Sequence, residues 1–149
     1  MHRTMIIALG SDHAGLPLKR ALLTALEAGG HAVLDAGTHD DASVDYPDFA
    51  HEVAAKVAAG EAAFGVLVCG SGIGMSIAAN RHPAIRAVVL HNTTEARLTR
   101  AHNDANIACF GARTTGVEVA LDALAAFLAT PFEGGRHGRR IAKIETALT

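Results

Sequence analysis

Short, continuous apolar runs alternate along this chain with longer stretches whose apolar residues recur every three or four positions. Met5-Ile6-Ile7-Ala8-Leu9 stops at Gly10 and is too short for a helix, so it predicts a strand covered on both faces. Pro17 suits a first helical turn, and Leu18, Leu22, Leu23 and Leu26 keep helical spacing until Gly29-Gly30 ends the element. His31 to Asp35 reads as a second strand, followed by a polar loop from Gly37 to Pro47. Asp48 is placed to cap a helix through about Ala59, with Phe49, Val53 and Val57 on one face. Phe64 to Cys69 predicts a third strand, which runs through a glycine turn into a helix ending near Asn80. Arg86 to Leu90 and Asn106 to Gly111 predict strands four and five. Between them Thr93 or Thr94 caps a helix that ends near His102. Val117 to Leu128 predicts an apolar helix, and a last helix runs from about Arg136 to Leu148.

Strict alternation of strand and helix predicts a parallel sheet with helices on both faces: an α/β, three-layer, Rossmann-like sandwich with five strands. No linker or repeat divides the chain, so residues 1–149 are expected to form one domain. In such sheets ligands sit beyond the carboxyl ends of the strands. Asp12-His13, the loop after Cys69 and the segments after strands four and five are therefore expected at one edge.

Composition narrows the field. Half the residues are apolar and 19% are charged, which excludes a disordered chain. A net charge of −2 gives no general attraction for nucleic acid or acidic membranes, and 4% aromatics without Trp supply no base-stacking platform. No apolar run reaches the roughly 18 residues that span a bilayer. Two isolated cysteines, Cys69 and Cys109, offer neither a disulfide framework nor a thiolate metal site. These features predict a cytoplasmic protein with a small-molecule ligand.

The glycine turn is the densest chemical signal. Gly70-Ser71-Gly72-Ile73-Gly74 reads GxGxG, whereas a dinucleotide fingerprint needs its last glycine where Met75 stands. Gly10 and Gly15 have Walker-A spacing, but Leu16-Pro17 replaces the Lys-Ser/Thr pair. A strand–glycine–helix turn leaves backbone N–H groups free for an anion, and it can equally be a tight turn with no ligand. Cys69 ends an apolar strand, where packing and reactivity at a helix start are equally good readings. Cys109, mid-strand, reads as core.

Asp12-His13 lies on a strand exit, where a functional pair is the stronger reading over a simple cap. His102-Asn103-Asp104 reads equally well as a functional group or as a helix-ending polar turn. Arg136 and Arg140 share a helical face and, with His137 and Arg139, make a basic patch. Such patches are usually solvated, although paired arginines suit a phosphate. Arg113, after strand five, is a third candidate. His2, His31, His39, His51, His82 and His91 lack metal-ligand spacing and read as surface or loop residues.

Gly10-Ser11-Asp12-His13-Ala14-Gly15, Asp45-Tyr46-Pro47, Cys69 to Gly74, Ala78-Ala79-Asn80, His102 to Asn106, Phe110 to Arg113 and Phe132 to His137 occur in one order. Together they closely resemble the type B ribose-5-phosphate isomerases, whose family also holds the galactose-6-phosphate isomerase subunits. The resemblance spans essentially the whole chain. It implies an aldose–ketose isomerase of ribose 5-phosphate that works through an enediolate, with no metal or organic cofactor. It further implies a homodimer, or a dimer of dimers, with active sites across the subunit interface and the C-terminal helix in the dimer contact.

By position, the resemblance makes Cys69 the base, Ser71 and the amides of Gly70, Gly72, Ile73 and Gly74 the holders of negative charge, and His102 the ring-opening group. Asn103, Asp12 and His13 would meet the sugar. Arg113, Arg136 and Arg140 would grip the phosphate, with His137 and Tyr46 as second choices. One branch of the family carries a glutamate base after the glycine loop; Met75 stands there, so the choice falls on Cys69. The alternatives are isomerisation of galactose 6-phosphate, allose 6-phosphate or a four-carbon sugar phosphate, a non-catalytic sugar-phosphate binder, and a thiol redox protein acting through Cys69.

Overall fold

A computed structural model describes residues 3–145. Five strands, β1 (Ile6–Ser11), β2 (Ala32–Asp35), β3 (Phe64–Cys69), β4 (Ala87–Val89) and β5 (Ile107–Gly111), form one parallel sheet in the order β2-β1-β3-β5-β4. Six helices complete the fold: α1 (Leu16–Ala28), α2 (Tyr46–Ala58), α3 (Ile73–Ala79), α4 (Thr93–Asn103), α5 (Val117–Ala129) and α6 (Arg136–Ile144). The expected three-layer α/β sandwich is present. Residues 146–149, the expected end of the last helix, lie outside the described range.

Alternation along each strand sorts the core into two layers. Ile7, Leu9, Val66, Val68, Ala108 and Phe110 pack with residues of α1, α4 and α5. Ala8, Leu67, Cys69, Ile107 and Cys109 pack on the other face with α2 and α3. Because both faces are covered in the three central strands, β1, β3 and β5 read as apolar runs in the sequence. Each large side chain buried this way contributes about 1.5–3 kcal/mol. Charged groups enter only with partners. Lys19 Nζ bonds Asp35 Oδ1 and Thr38 O, both at 2.7 Å, which ties α1 to the segment after β2.

Local signals correct three expectations. Asp45, not Asp48, stands before α2, and Tyr46 and Pro47 open that helix instead of ending a loop. Pro47 has no N–H to leave unsatisfied, so the first turn accommodates it. Asn92 caps α4, not Thr93 or Thr94, because its side chain accepts the Glu95 N–H at 2.8 Å. His31 is buried, not superficial, and its Nδ1 accepts the Met5 N–H at 3.1 Å. His51 is exposed, as expected, and His82 half-buried; they share a 2.8 Å nitrogen–nitrogen contact.

The chain steps from β1 out to β2 and then returns past β1 to β3. This reversal opens a crevice at the carboxyl ends of β1 and β3, the usual ligand position in open α/β sheets.

Candidate active site

The carboxyl edge gathers one group of the expected residues. Asp12 follows β1 and is buried; its N–H donates to Val68 O at 3.2 Å and its Oδ1 accepts the Gly15 N–H at 2.9 Å. The turn is thereby clamped to β3 before α1 begins. His13 Nδ1 accepts the Val44 N–H at 3.2 Å, so the ring's proton sits on Nε2.

β3 delivers Cys69 to the same edge. Its buried Sγ accepts the Gly72 N–H at 3.1 Å, which fixes the sulfur over the glycine turn. Gly72 has φ 78°, and a Cβ there would stand 2.9 Å from the Phe110 carbonyl carbon, so the turn requires glycine. Ser71 Oγ accepts the Ile73 N–H at 3.2 Å. A Cβ on Gly74 would stand 2.6 Å from the Tyr46 ring, which shows how closely that ring covers the loop. Arg113 donates its backbone N–H to Gly70 O at 2.9 Å, and its guanidinium lies 3.6 Å from the position of a Gly70 Cβ. Asp12, His13, Tyr46, Cys69, Gly70 to Gly74 and Arg113 thus share one edge.

The remaining candidates do not join them. α4 starts at the carboxyl edge and runs back along the sheet, so its last residues, His102 and Asn103, lie at the amino edge. Arg86, just before β4, marks that edge: its Nε donates to Asn103 O at 3.1 Å and Asp104 O at 3.0 Å. A strand of five or six residues spans roughly 17–20 Å, so a single chain holds His102 far from Cys69. Of the segment after strand four only the start reaches the shared edge: His102 and Asn103 lie at the opposite one, where His137, with Arg136 and Arg140 on the same helix, stacks on His102. The return direction of α4 is the reason.

At the amino edge these residues form a second group. The His102 and His137 rings stack with centroids 4.4 Å apart and planes at 14°. Glu133 Oε1 lies 3.7 Å from the Nε2 of each ring. Asn103 Oδ1 accepts the Thr99 hydroxyl at 3.1 Å. Arg136 and Arg140 are exposed on α6 beside His137. Desolvation first, then His102 and the two arginines, holds the His137 imidazole below its ordinary pKa of 6.5, with Glu133 acting the other way. Glu133 has no role in the sequence reading; its i,i+4 spacing to His137 was the available signal.

The two thiols differ. Burial, and secondarily the neighbouring Cys69, pushes the Cys109 thiol far above its ordinary range. Cys109 is fully buried and stays protonated. Iodoacetamide is expected to leave Cys109 unmodified in the folded protein and to label it only after denaturation. Peptide mapping by mass spectrometry checks this, and native labelling of Cys109 would refute it. A groove of about 670 Å³ between α1 and α5 holds none of these candidates, so its volume does not mark it as the chemical site.

Among the described residues, no helix is long and apolar enough to cross a membrane. Residues 7–144 match the family model described as Ribose/Galactose Isomerase. Ribose-5-phosphate isomerase B of Escherichia coli (strain K12) is 45% identical over 93% of this chain and 93% of that protein. The LacB subunit of galactose-6-phosphate isomerase from Clostridium acetobutylicum is 34% identical over 93% of this chain and 80% of that protein. The structure of Clostridium thermocellum ribose-5-phosphate isomerase B superposes with a TM-score of 0.94 at 49% identity, covering 95% of each chain.

Proposed function

Since this chain belongs to the ribose/galactose isomerase family, we propose that it interconverts ribose 5-phosphate and ribulose 5-phosphate in a site shared by two copies of the chain. The observation that carries the reading is the Cys69 sulfur at the carboxyl end of β3, held by the Gly72 N–H of the glycine loop. Ribose 5-phosphate is favoured because relatives bearing that name are 45–49% identical, against 34% for the galactose 6-phosphate subunit.

Cys69 takes the proton from the sugar's C2 as thiolate and returns it to C1, passing through an enediolate. Ser71 and the amides of the Gly70–Gly74 loop meet the charge that develops on oxygen, the Gly72 and Ile73 N–H groups only by leaving Cys69 Sγ and Ser71 Oγ, a contribution of roughly 2.7–4 kcal/mol per donor at comparable sites. Asp12 keeps one carboxylate oxygen beyond its bond to Gly15, and His13 offers Nε2–H; both suit sugar hydroxyls. His102 opens the furanose ring, with Asn103 beside it. Arg113, Arg136 and Arg140 anchor the phosphate, with His137 and Tyr46 as further contacts. No step calls for a metal or organic cofactor.

The opposite placement of Cys69 and His102 supports a homodimer in which one copy supplies each. A second chain also has a surface to cover: Ile73 and Ile77 on α3, beside the glycine loop, are 55% and 53% exposed. That apolar pair, one helical turn apart, suits a protein contact better than water.

Assaying isomerisation of four-, five- and six-carbon sugar phosphates tests the reading. Ribose 5-phosphate should turn over fastest, and inactivity on all of them would overturn it. Arg140→Ala should raise KM by roughly 10- to 100-fold, the value of a charge-assisted hydrogen bond, with a smaller change in kcat. Saturation kinetics check this, and an unchanged KM removes Arg140 from the phosphate grip.

A further inference from the structure

The isomerase reading uses His102 and His137 but leaves Glu133 without work. Glu133 nevertheless stands between them. Its Oε1 is 3.7 Å from His102 Nε2 and 3.7 Å from His137 Nε2, and the three ligand atoms lie within 4.8 Å of one another. Neither contact is short enough to be a hydrogen bond, so the carboxylate faces both imidazoles across a gap. Around a tetrahedral zinc ion with bonds of about 2.0–2.2 Å, ligand atoms stand roughly 3.3–3.5 Å apart. The two carboxylate–imidazole gaps would close by a few tenths of an ångström, while the longest separation, up to 4.8 Å, would close by roughly 1.3–1.5 Å as the half-exposed His102 ring turns out of its stack on His137.

The backbone holds the three groups in place. The Glu133 N–H donates to Ala101 O at 3.0 Å, which ties its loop to the helix carrying His102. The His137 N–H donates to Gly134 O at 3.1 Å, which ties α6 to the same loop. Two imidazole nitrogens and one carboxylate with an open side form a His₂Glu set, a combination zinc accepts. Arg136 and Arg140, beside His137, oppose a cation held by charge alone. That bias works against magnesium and calcium, which also prefer oxygen ligands, and favours a metal that bonds nitrogen.

The geometry points to a divalent transition-metal site at His102, Glu133 and His137 that takes zinc and, by occupying His102 Nε2, stops isomerisation. The inhibition rests on the ring-opening role proposed for His102; the metal binding does not.

Competition against a chromophoric zinc chelator tests the binding in metal-free full-length protein. Wild type and Cys69→Ser are expected to bind one zinc per chain and no magnesium. Glu133→Gln should bind at least ~10-fold more weakly, the low end of what even a ligand's outer partner is worth. A protein carrying His102→Ala and His137→Ala together should lose the site. Equal zinc affinity in Glu133→Gln, or loss of zinc in Cys69→Ser, would overturn the site and move the metal to the thiol. In parallel, zinc should inhibit ribose 5-phosphate turnover, with a midpoint raised at least ~10-fold in Glu133→Gln relative to its own metal-free rate. Zinc bound at the three residues without inhibition of an active enzyme would refute the switch. A protein inactive on every sugar phosphate that still binds zinc as described would sink the isomerase reading and the inhibition, and would leave the metal site standing.

Discussion

Replacing Cys69 with alanine is expected to lower kcat for sugar-phosphate isomerisation by roughly 100- to 10,000-fold, the range a positioned general base supplies. The side chain sits at the end of β3 with its sulfur held by the Gly72 N–H, so the exchange removes one group and leaves the frame intact. The lost hydrogen bond and the small void would cost on the order of 1 kcal/mol, too little to unfold a domain of ordinary stability. KM should change little, because the proposed phosphate anchors lie elsewhere. A serine in its place preserves an acceptor for Gly72 but is a far weaker base at neutral pH, so it should fare no better. Steady-state kinetics and a thermal melt on the same preparations separate the two effects. Full activity in Cys69→Ala would remove the thiol from the reaction.

The second large effect is a recovery. Cys69→Ala and His102→Ala should each be nearly inactive alone. Mixed and allowed to exchange partners, they should regain about a quarter of wild-type activity: half the two-fold dimers are mixed, and one of their two sites is intact. The expectation follows from the direction of α4, which carries His102 to the edge of the sheet opposite Cys69. A site contained within one chain would show no recovery at all. Mixing at concentrations where chains exchange, followed by the ribose 5-phosphate assay, decides between them.

Much of the fold was legible because burial on both faces writes the central strands as continuous apolar runs, as in Ile7 to Leu9 and Val66 to Cys69. Helix starts were less legible. Pro47 reads as a loop residue in the sequence although its missing N–H fits a first turn, and Asn92 competes with two threonines that cap equally well in isolation. The carboxyl-edge candidates, Tyr46 apart, were legible because each follows directly on a strand. His102 and Asn103 are harder to place, since following strand four in the chain does not say which end of the returning helix α4 they occupy. Glu133 was missed for a related reason: it joins His102 only after the chain has crossed α5 and come back.

The separation of Cys69 from His102 also bears on how activity scales with the amount of protein. If no single chain brings the two groups together, the active species is the pair, and its share of the population falls on dilution through the dissociation constant. Turnover per chain then ceases to be a fixed property of the sequence. It becomes a readout of self-association, lowest in dilute assays and approaching its ceiling only where the chains are crowded enough to find each other.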